Sequence, residues 1–242
     1  HIGGALSSVE IMTVLYRAWL RHRPAESRWP DRDRFILSKG HSCLTLFCLL
    51  TGFGYLPATE LQRIGTAEGM LGGHPEYDPA HGIEATTGSL GHGLALGCGL
   101  AWAAQRDAAA WRTVVLLGDG ECQEGSVWEA ALFAAQHRLT NLLAVVDHNK
   151  LQAIQPLAEV AGLAPLAEKW RAFGWHAVEC DGHDCRALLA ALAARAPDRP
   201  TVIVAHTVKG KGISYMENAP LWHYRCPNEQ EYAQACRELD RP

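Results

Sequence analysis

The chain has no long apolar run, no basic stripe, no secretory leader pattern and no Cys-x-x-Cys pair, and each absence closes a class of function. Its longest uninterrupted apolar stretches fall far short of the roughly 20 residues that cross a bilayer as a helix, so a membrane is not expected as a partner. Net charge is −4 over 242 residues without clustered Lys and Arg, so the electrostatic footprint of a nucleic-acid binder is missing. Without a leader, and with Cys43, Cys48, Cys98, Cys122, Cys180, Cys185, Cys226 and Cys236 in no redox-motif spacing, the chain reads as cytoplasmic with reduced thiols. No His-Glu-x-x-His or comparable spacing marks a zinc site. An initiator methionine is missing as well: His1 stands first and already lies inside a motif, so the true N-terminus is expected further upstream. Neither an internal repeat nor a sign of a second domain is visible, which predicts one domain over residues 1–242.

What is present is an ordinary globular composition, 48% hydrophobic and 20% charged, laid out as alternating strands and helices. Strands are expected at Arg34–Ser38, Val114–Leu117, Leu142–Val146, His176–Cys180 and Thr201–His206. Helices are expected at Ser7–Leu20, where Ser7 and Glu10 form a capping box, at Ser42–Thr51, just after Pro57, at Leu94–Arg106, after Gly120, at Pro165–Phe173, at Cys185–Arg195 and at Asn228–Leu239. The glycine-dense stretch Gly65–Gly93 and the loop Leu151–Gly162 signal little regular structure. This order predicts an α/β fold of three layers, a doubly wound and mainly parallel sheet with helices on both faces.

The strand ends carry the chemistry. Val114–Leu117 stops at Gly118-Asp119-Gly120, and Leu142–Val146 stops at Asp147-His148-Asn149. Parallel strands joined by a helix bring both ends to one edge of the sheet, where open α/β sheets bind ligands. Asp119 and Asn149 can therefore sit side by side with a backbone carbonyl, giving hard oxygen ligands suited to Mg²⁺ with a diphosphate. Gly-Asp-Gly alone is more often only a tight turn; the second polar strand end favours the ligand reading. His41, His74, His92, His183 and His1 all lie beside or near glycines; singly each fits a loop histidine, together they suggest a polar pocket. The N-terminus of the Leu94–Arg106 helix, after Gly88-Ser89-Leu90-Gly91-His92-Gly93, suits an anion. Glu124 reads either as a first-turn acid favoured by the helix dipole or as a buried carboxylate at a cofactor or subunit contact. Lys209 and Lys211 can hold a phosphate or merely decorate a solvated turn. Cys180-Asp-Gly-His-Asp-Cys185 looks like a metal loop but sits where a connecting turn is needed.

Taken together these segments resemble the cofactor-diphosphate-binding half of transketolase, most closely the separately encoded N-terminal subunit of split transketolases. The matching stretches run in order through H-I-G-G-A-L-S-S-V-E-I, D-R-D-R-F-I-L-S-K-G-H, G-G-H-P-E, T-T-G-S-L-G-H-G, L-L-G-D-G-E-C-Q-E-G-S-V-W-E-A, V-V-D-H-N-K-L-Q and A-H-T-V-K-G-K-G-I-S-Y-M-E-N, nearly the whole chain. The resemblance implies the thiamine diphosphate-binding fold, with thiamine diphosphate and Mg²⁺ (or Ca²⁺). It implies that Asp119, Asn149 and the Leu151 carbonyl hold the metal, that Gly118 and Gly120 adjoin the diphosphate, and that Gly88, Ser89 and Leu90 flank the aminopyrimidine and thiazolium. It implies that His1, His41, His74 and His223 surround the cofactor and the donor's hydroxyls, and that Glu124 supports the partner's catalytic glutamate across an interface. The implied reaction breaks a ketose C2–C3 bond with the thiazolium as electron sink and passes the two-carbon unit to an aldehyde. The implied partner is a separately encoded C-terminal transketolase-like subunit in a heterotetramer, without which the chain is inactive. Where the family usually has glutamine, glycine, a branched apolar residue followed by Asp-Gly, and glycine, this chain has His92, Lys150, Ala153-Ile154-Gln155 and Tyr224. The metal positions are kept and the substrate mouth is altered, which directs the difference at the substrate. Two other readings are an acyloin-forming or 2-oxo acid-decarboxylating thiamine diphosphate enzyme, and a non-catalytic assembly subunit.

Overall fold

A computed structural model describes residues 1–240. Among them, strands β1 (Arg34–Leu37), β2 (Thr113–Gly118), β3 (Leu142–His148), β4 (His176–Asp181) and β5 (Thr201–His206) form one wholly parallel sheet in the order β1-β2-β3-β5-β4. The helices are α1 (Ile2–Leu6), α2 (Val9–Val14), α3 (Cys43–Phe53), α4 (Gly93–Arg106), α5 (Gly125–Gln136), α6 (Leu157–Ala161), α7 (Leu166–Ala172), α8 (Cys185–Ala193) and α9 (Glu229–Leu239). The expected α/β class and parallel sheet are what the structure has. None of the described helices is long and apolar enough to cross a membrane.

Successive strand side chains point to opposite faces, and each face is roofed by helices. Val114 and Leu116 of β2, with Val145 and Ile203, join a core that takes in Ile11 of α2, Phe47 of α3 and Leu188 of α8. Val115 and Leu117, with Ala144 and Val204, join a second core under Leu94 of α4, Val127 of α5 and Trp170 of α7. Neither face of the central strands meets water, so they read as continuous apolar runs rather than as alternation. Small residues on α4 are what let this layer close. A Cβ at Gly97 would come within 2.4 Å of Val115 Cγ2, so α4 lies on β2 at a distance no larger residue permits.

The N-terminal helix departs from expectation. Instead of one helix over Ser7–Leu20, α1 ends at Leu6, α2 starts after Ser8, and Leu15–Trp19 is wound as a π-helix. The capping box does not form: Ser8 is the N-cap and makes no side-chain cap bond. Ser7 Oγ instead donates to Asp147 Oδ2 at 2.6 Å, and Glu10 Oε2 lies 3.1 Å from His183 Nδ1. A buried carboxylate from a distant strand outcompetes a local amide for the serine hydroxyl. The capping box at α9 does form, between Asn228 and Glu231. Gly65–Gly93 holds little more than a single 3₁₀ turn, Pro79–His81, and the 151–162 loop folds only the short α6. The turn after β4 is a connection, since Asp184 caps α8 by accepting from Arg186 N and Ala187 N. All eight cysteines are free.

Candidate active site

Because every strand runs the same way, all five carboxyl ends meet one edge, and a cleft of about 460 Å³ opens there. Asp119 follows β2 and Asn149 follows β3, and pairing of those strands brings the two residues together although they are 30 positions apart. Asp119, Asn149 and Leu151 all line the cleft, with Gly118 and Gly120 beside them. Asp119 is buried and its carboxylate is fixed from three sides. Oδ1 accepts from Gly120 N at 2.7 Å, Oδ2 accepts from Lys150 N at 2.6 Å, and His148 Nδ1 lies 3.0 Å from Oδ2. Lys150 reaches Asp119 through a left-handed backbone, φ 66°. Asn149 Oδ1 accepts from Leu151 N at 3.1 Å, a tight turn that holds the carboxamide at the cleft floor. Lys209 Nζ donates to Leu151 O at 3.3 Å and to Gln152 O at 2.9 Å, and lies 2.7 Å from His223 Nδ1. Burial, then the neighbouring Lys39 charge, brings the Lys209 ammonium down to about 8.

Four histidines also line the cleft. The His1 ring centroid lies 5.5 Å from that of His41, 5.8 Å from His74 and 5.0 Å from His223. His41 and His223 are 5.4 Å apart. Burial chiefly, and then cationic neighbours, pushes His223 down to about 4 and His41 down to about 2. Both are therefore neutral imidazoles near pH 7, each offering one ring N–H to donate and one ring nitrogen to accept a hydrogen bond. The Gly88 backbone passes beside His74 at φ 138°, and a Cβ there would lie 2.7 Å from His74 Cδ2, so only glycine lets the loop and the imidazole share the space.

Two buried acids beneath this surface escape a reading of the sequence. Asp147 pairs with the Lys39 ammonium and accepts from the hydroxyls of Ser7 and Thr207. Burial alone would raise its carboxyl, but Lys39 and the two hydroxyls hold it below the usual carboxylate range. Lys39 Nζ also donates to Gly4 O at 3.1 Å, which ties α1 to the end of β1. Glu121 accepts from Gly91 N at 2.9 Å, from Gly118 N at 3.1 Å and from the Ser38 hydroxyl, and burial pushes its carboxyl up despite these bonds. The loop before α4 suits an acidic group, and within this chain Gly91 N of that loop donates to the Glu121 carboxyl. A signal exists for both acids: each sits at the end of an apolar strand run, where a charge needs a built partner.

Other expected residues lie elsewhere. Leu90 lines the cleft, whereas Ser89 is exposed and outside its lining. His92 caps α4 on the exposed surface. His183 is engaged by Glu10 and accepts from Val208 N at 2.8 Å. Lys211 pairs with Glu217 at 3.6 Å outside the cleft. Glu124 is exposed at the cleft rim, not buried, and although it is the N-cap of α5 its side chain caps nothing. Beyond it, Leu96 and Trp102 of α4 and Leu132 and Phe133 of α5 make an exposed apolar face, with Ala95, Gly99 and Ala103 among them.

Comparison with known proteins agrees with this geometry. The family model described as "Transketolase, thiamine diphosphate binding domain" matches residues 1–239. An apulose-4-phosphate transketolase subunit of Phocaeicola vulgatus is 40% identical over 99% of this chain and 85% of its own length. The 6-deoxy-6-sulfo-D-fructose transketolase subunit SqwG of a Clostridium species is 39% identical over 100% of this chain and 88% of its own length. Human transketolase is 39% identical over 92% of this chain, which spans 36% of that protein. The crystal structure of Campylobacter jejuni transketolase superposes with a TM-score of 0.88 at 28% identity, over 97% of this chain and 38% of that one. The family match over residues 1–239, the relatives about 40% identical over nearly the whole chain and the shared fold place this chain in the transketolase family, as its thiamine diphosphate-binding domain.

Proposed function

We propose that the chain is the N-terminal subunit of a split transketolase. It holds thiamine diphosphate by the diphosphate end through Mg²⁺ or Ca²⁺ and, with a separately encoded C-terminal subunit, moves a two-carbon ketol unit from a ketose donor to an aldehyde acceptor. The observation that carries this reading is the donor set at the cleft floor. A carboxylate (Asp119), a carboxamide (Asn149) and a carbonyl (Leu151) are hard oxygens, the kind that hold Mg²⁺ or Ca²⁺ beside a diphosphate. Lys209 adds a buried positive charge against the same cleft, so the residues fit both the cation and the anion.

When bound, thiamine diphosphate supplies the nucleophile and the electron sink for breaking a carbon–carbon bond next to a carbonyl. The chain's own residues do the rest. Asp119, Asn149 and the Leu151 carbonyl hold the cation, while Gly118, Gly120 and Lys209 face the diphosphate. Gly88 and Leu90 form the loop beside the rings. His1, His41, His74 and His223 bind the donor's hydroxyl oxygens, with His41 and His223 acting there as neutral hydrogen-bonding imidazoles. Glu124 reaches from the rim toward the partner, and the apolar face of α4 and α5 next to it is the surface on which the C-terminal chain would pack. The relatives named as subunits support a heteromer; in this reading it is a heterotetramer at work in the cytoplasm.

The test is calorimetry of thiamine diphosphate on the assembled pair with and without Mg²⁺, followed by a donor and acceptor screen. Mg²⁺-dependent binding that Asp119→Ala abolishes, with ketol transfer only when both subunits are present, is the expected result. Binding indifferent to Mg²⁺ and to Asp119 would sink the reading.

A further inference from the structure

The cleft does not end at the histidines. A second, shallower hollow of about 520 Å³ adjoins it, lined by Ala153, Ile154, Pro220, Leu221, Tyr224 and Arg225. Ala153 and Tyr224 belong to both walls, so the two spaces are direct neighbours. Three large apolar or aromatic side chains stand open on this shelf: Ile154 is 76% exposed, Tyr224 66% and Leu221 61%. Among the described residues the shelf has one cation, and it is committed: Arg225 Nη2 donates to Glu231 Oε1 at 2.7 Å and to Oε2 at 2.8 Å, and its guanidinium lies 4.7 Å from the Trp222 ring centroid. Tyr224 is not a free surface ring. Its centroid lies 4.5 Å from that of His223 and 5.1 Å from that of His1, edge-on to both.

Resting on the ketol-transfer reading above, we infer that this shelf is a specificity site which binds an apolar substituent of the acceptor aldehyde, an alkyl or aryl chain. A molecule lying on Ile154, Leu221 and Tyr224 has one end against the His1 and His223 imidazoles, so a carbonyl carried at that end enters the cleft while its carbon chain stays on apolar surface. Burying such a chain there is favourable, and a phosphate in its place would find no uncommitted cation among the described residues of the shelf. The reaction balances without a further reagent. The donor's C2–C3 bond breaks, and its C3 hydroxyl loses a proton as that carbon becomes the aldehyde of the released product. A new bond forms to the acceptor's carbonyl carbon, whose oxygen takes up one proton, with no net oxidation or reduction.

The test uses the reconstituted holoenzyme pair with a ketose donor and two acceptors, hexanal and glycolaldehyde. In the double variant Ile154→Ser with Leu221→Ser, the ratio of kcat/KM for hexanal to that for glycolaldehyde should fall by about tenfold or more. An unchanged ratio overturns the inference. A second readout does not depend on turnover. In saturation-transfer NMR, unreactive 1-hexanol should show contact with the wild-type complex and lose it in the double variant; no contact with wild type overturns the inference. Hydrogen-exchange protection of residues 153–155 and 220–225 on adding the partner alone would show that the partner covers the shelf, and also overturns it. A complex that binds 1-hexanol on the shelf yet transfers a ketol unit to neither aldehyde breaks the functional reading and leaves the shelf as an apolar ligand site.

Discussion

Two buried aspartates stand at opposite ends of the sheet and are held by different means. Asp33, just before β1, accepts from Arg21 N at 2.9 Å and Arg112 N at 2.8 Å, and pairs with both guanidiniums, at 3.0 Å for Arg21 and 2.6 Å for Arg112. Arg112 in turn lies 3.7 Å over the Trp19 ring. Asp147, at the end of β3, has one cation, Lys39, and two hydroxyls. Both carboxyls sit below the ordinary range, because partners of opposite charge and hydrogen bonds outweigh the burial that would raise them. The difference lies in what surrounds the partners. The arginines of Asp33 keep part of their side chains in water, whereas Lys39 is 1% exposed and lines the floor of the cleft. One end of the sheet uses a charged clamp to join two loops. The other uses a sealed ion pair to support a binding surface, with α1, β1, β3 and the segment after β5 all tied to one carboxylate.

Breaking the sealed pair should cost most. Asp147→Ala leaves a buried ammonium without its partner, and a loss of about 3–5 kcal/mol in urea unfolding is expected. Replacing both partners at once, Lys39→Met with Asp147→Leu, should recover much of that stability without restoring cofactor binding, which would separate the fold from the site. Breaking the clamp around Asp33, whose arginines are partly in water, should cost less. In Asp33→Ala the freed guanidiniums can rehydrate, so about 2 kcal/mol is expected, with the thiamine diphosphate affinity of the assembled complex unchanged by calorimetry. A cost for Asp33→Ala equal to that of Asp147→Ala would remove the distinction between the two ends.

The clamp also has a pH signature of known sign. The folded carboxyl of Asp33 lies below its unfolded value, so its contribution is fully present above the unfolded pKa and is lost as pH falls through the folded one. Comparing wild type with Asp33→Asn by urea midpoint, the stability gap should hold steady from neutral pH down to about pH 4 and narrow below it. A gap that widens on acidification would contradict this assignment.

The sheet was legible because its strands are buried on both faces. Runs such as Val114–Leu117 and Thr201–His206 allow no other element of that length between turn residues. The cleft's floor was legible for a related reason: polar residues at the ends of such runs have one place to go, the carboxyl edge. What lay outside local pattern was choice of partner. Ser7 with Glu10 has the spacing of a capping box, yet each side chain is taken by a residue more than a hundred positions away. Asp147 and Glu121 stay hidden in the sequence because their worth depends on Lys39, Ser38 and Gly91, which spacing along the chain does not bring together. Of the two readings of Glu124, the acid at a helix start matches its place at the N-cap of α5, whereas the buried carboxylate does not, since the residue is open at the rim.

Glu124 yields the smallest effect on the chain itself and the sharpest contrast with both aspartates. Its carboxylate has no hydrogen-bond partner among the described residues, and it stands at the start of α5, the helix that farther along carries the exposed Leu132 and Phe133. Removing an exposed and unpaired side chain should move the isolated chain's stability by no more than about 0.5 kcal/mol. A carboxylate that meets a partner across an interface behaves otherwise once that interface forms, because a desolvated contact is worth far more than a wet one. For Glu124→Ala we therefore expect an unfolding midpoint close to wild type, together with weaker assembly by analytical ultracentrifugation and a lower kcat in the reconstituted pair. Glu124→Gln, which keeps the shape and loses the charge, should assemble better than Glu124→Ala while staying impaired in turnover. If both variants assembled and turned over like wild type, Glu124 would be an ordinary surface acid and the route from this cleft to a partner would have to run through the apolar face alone.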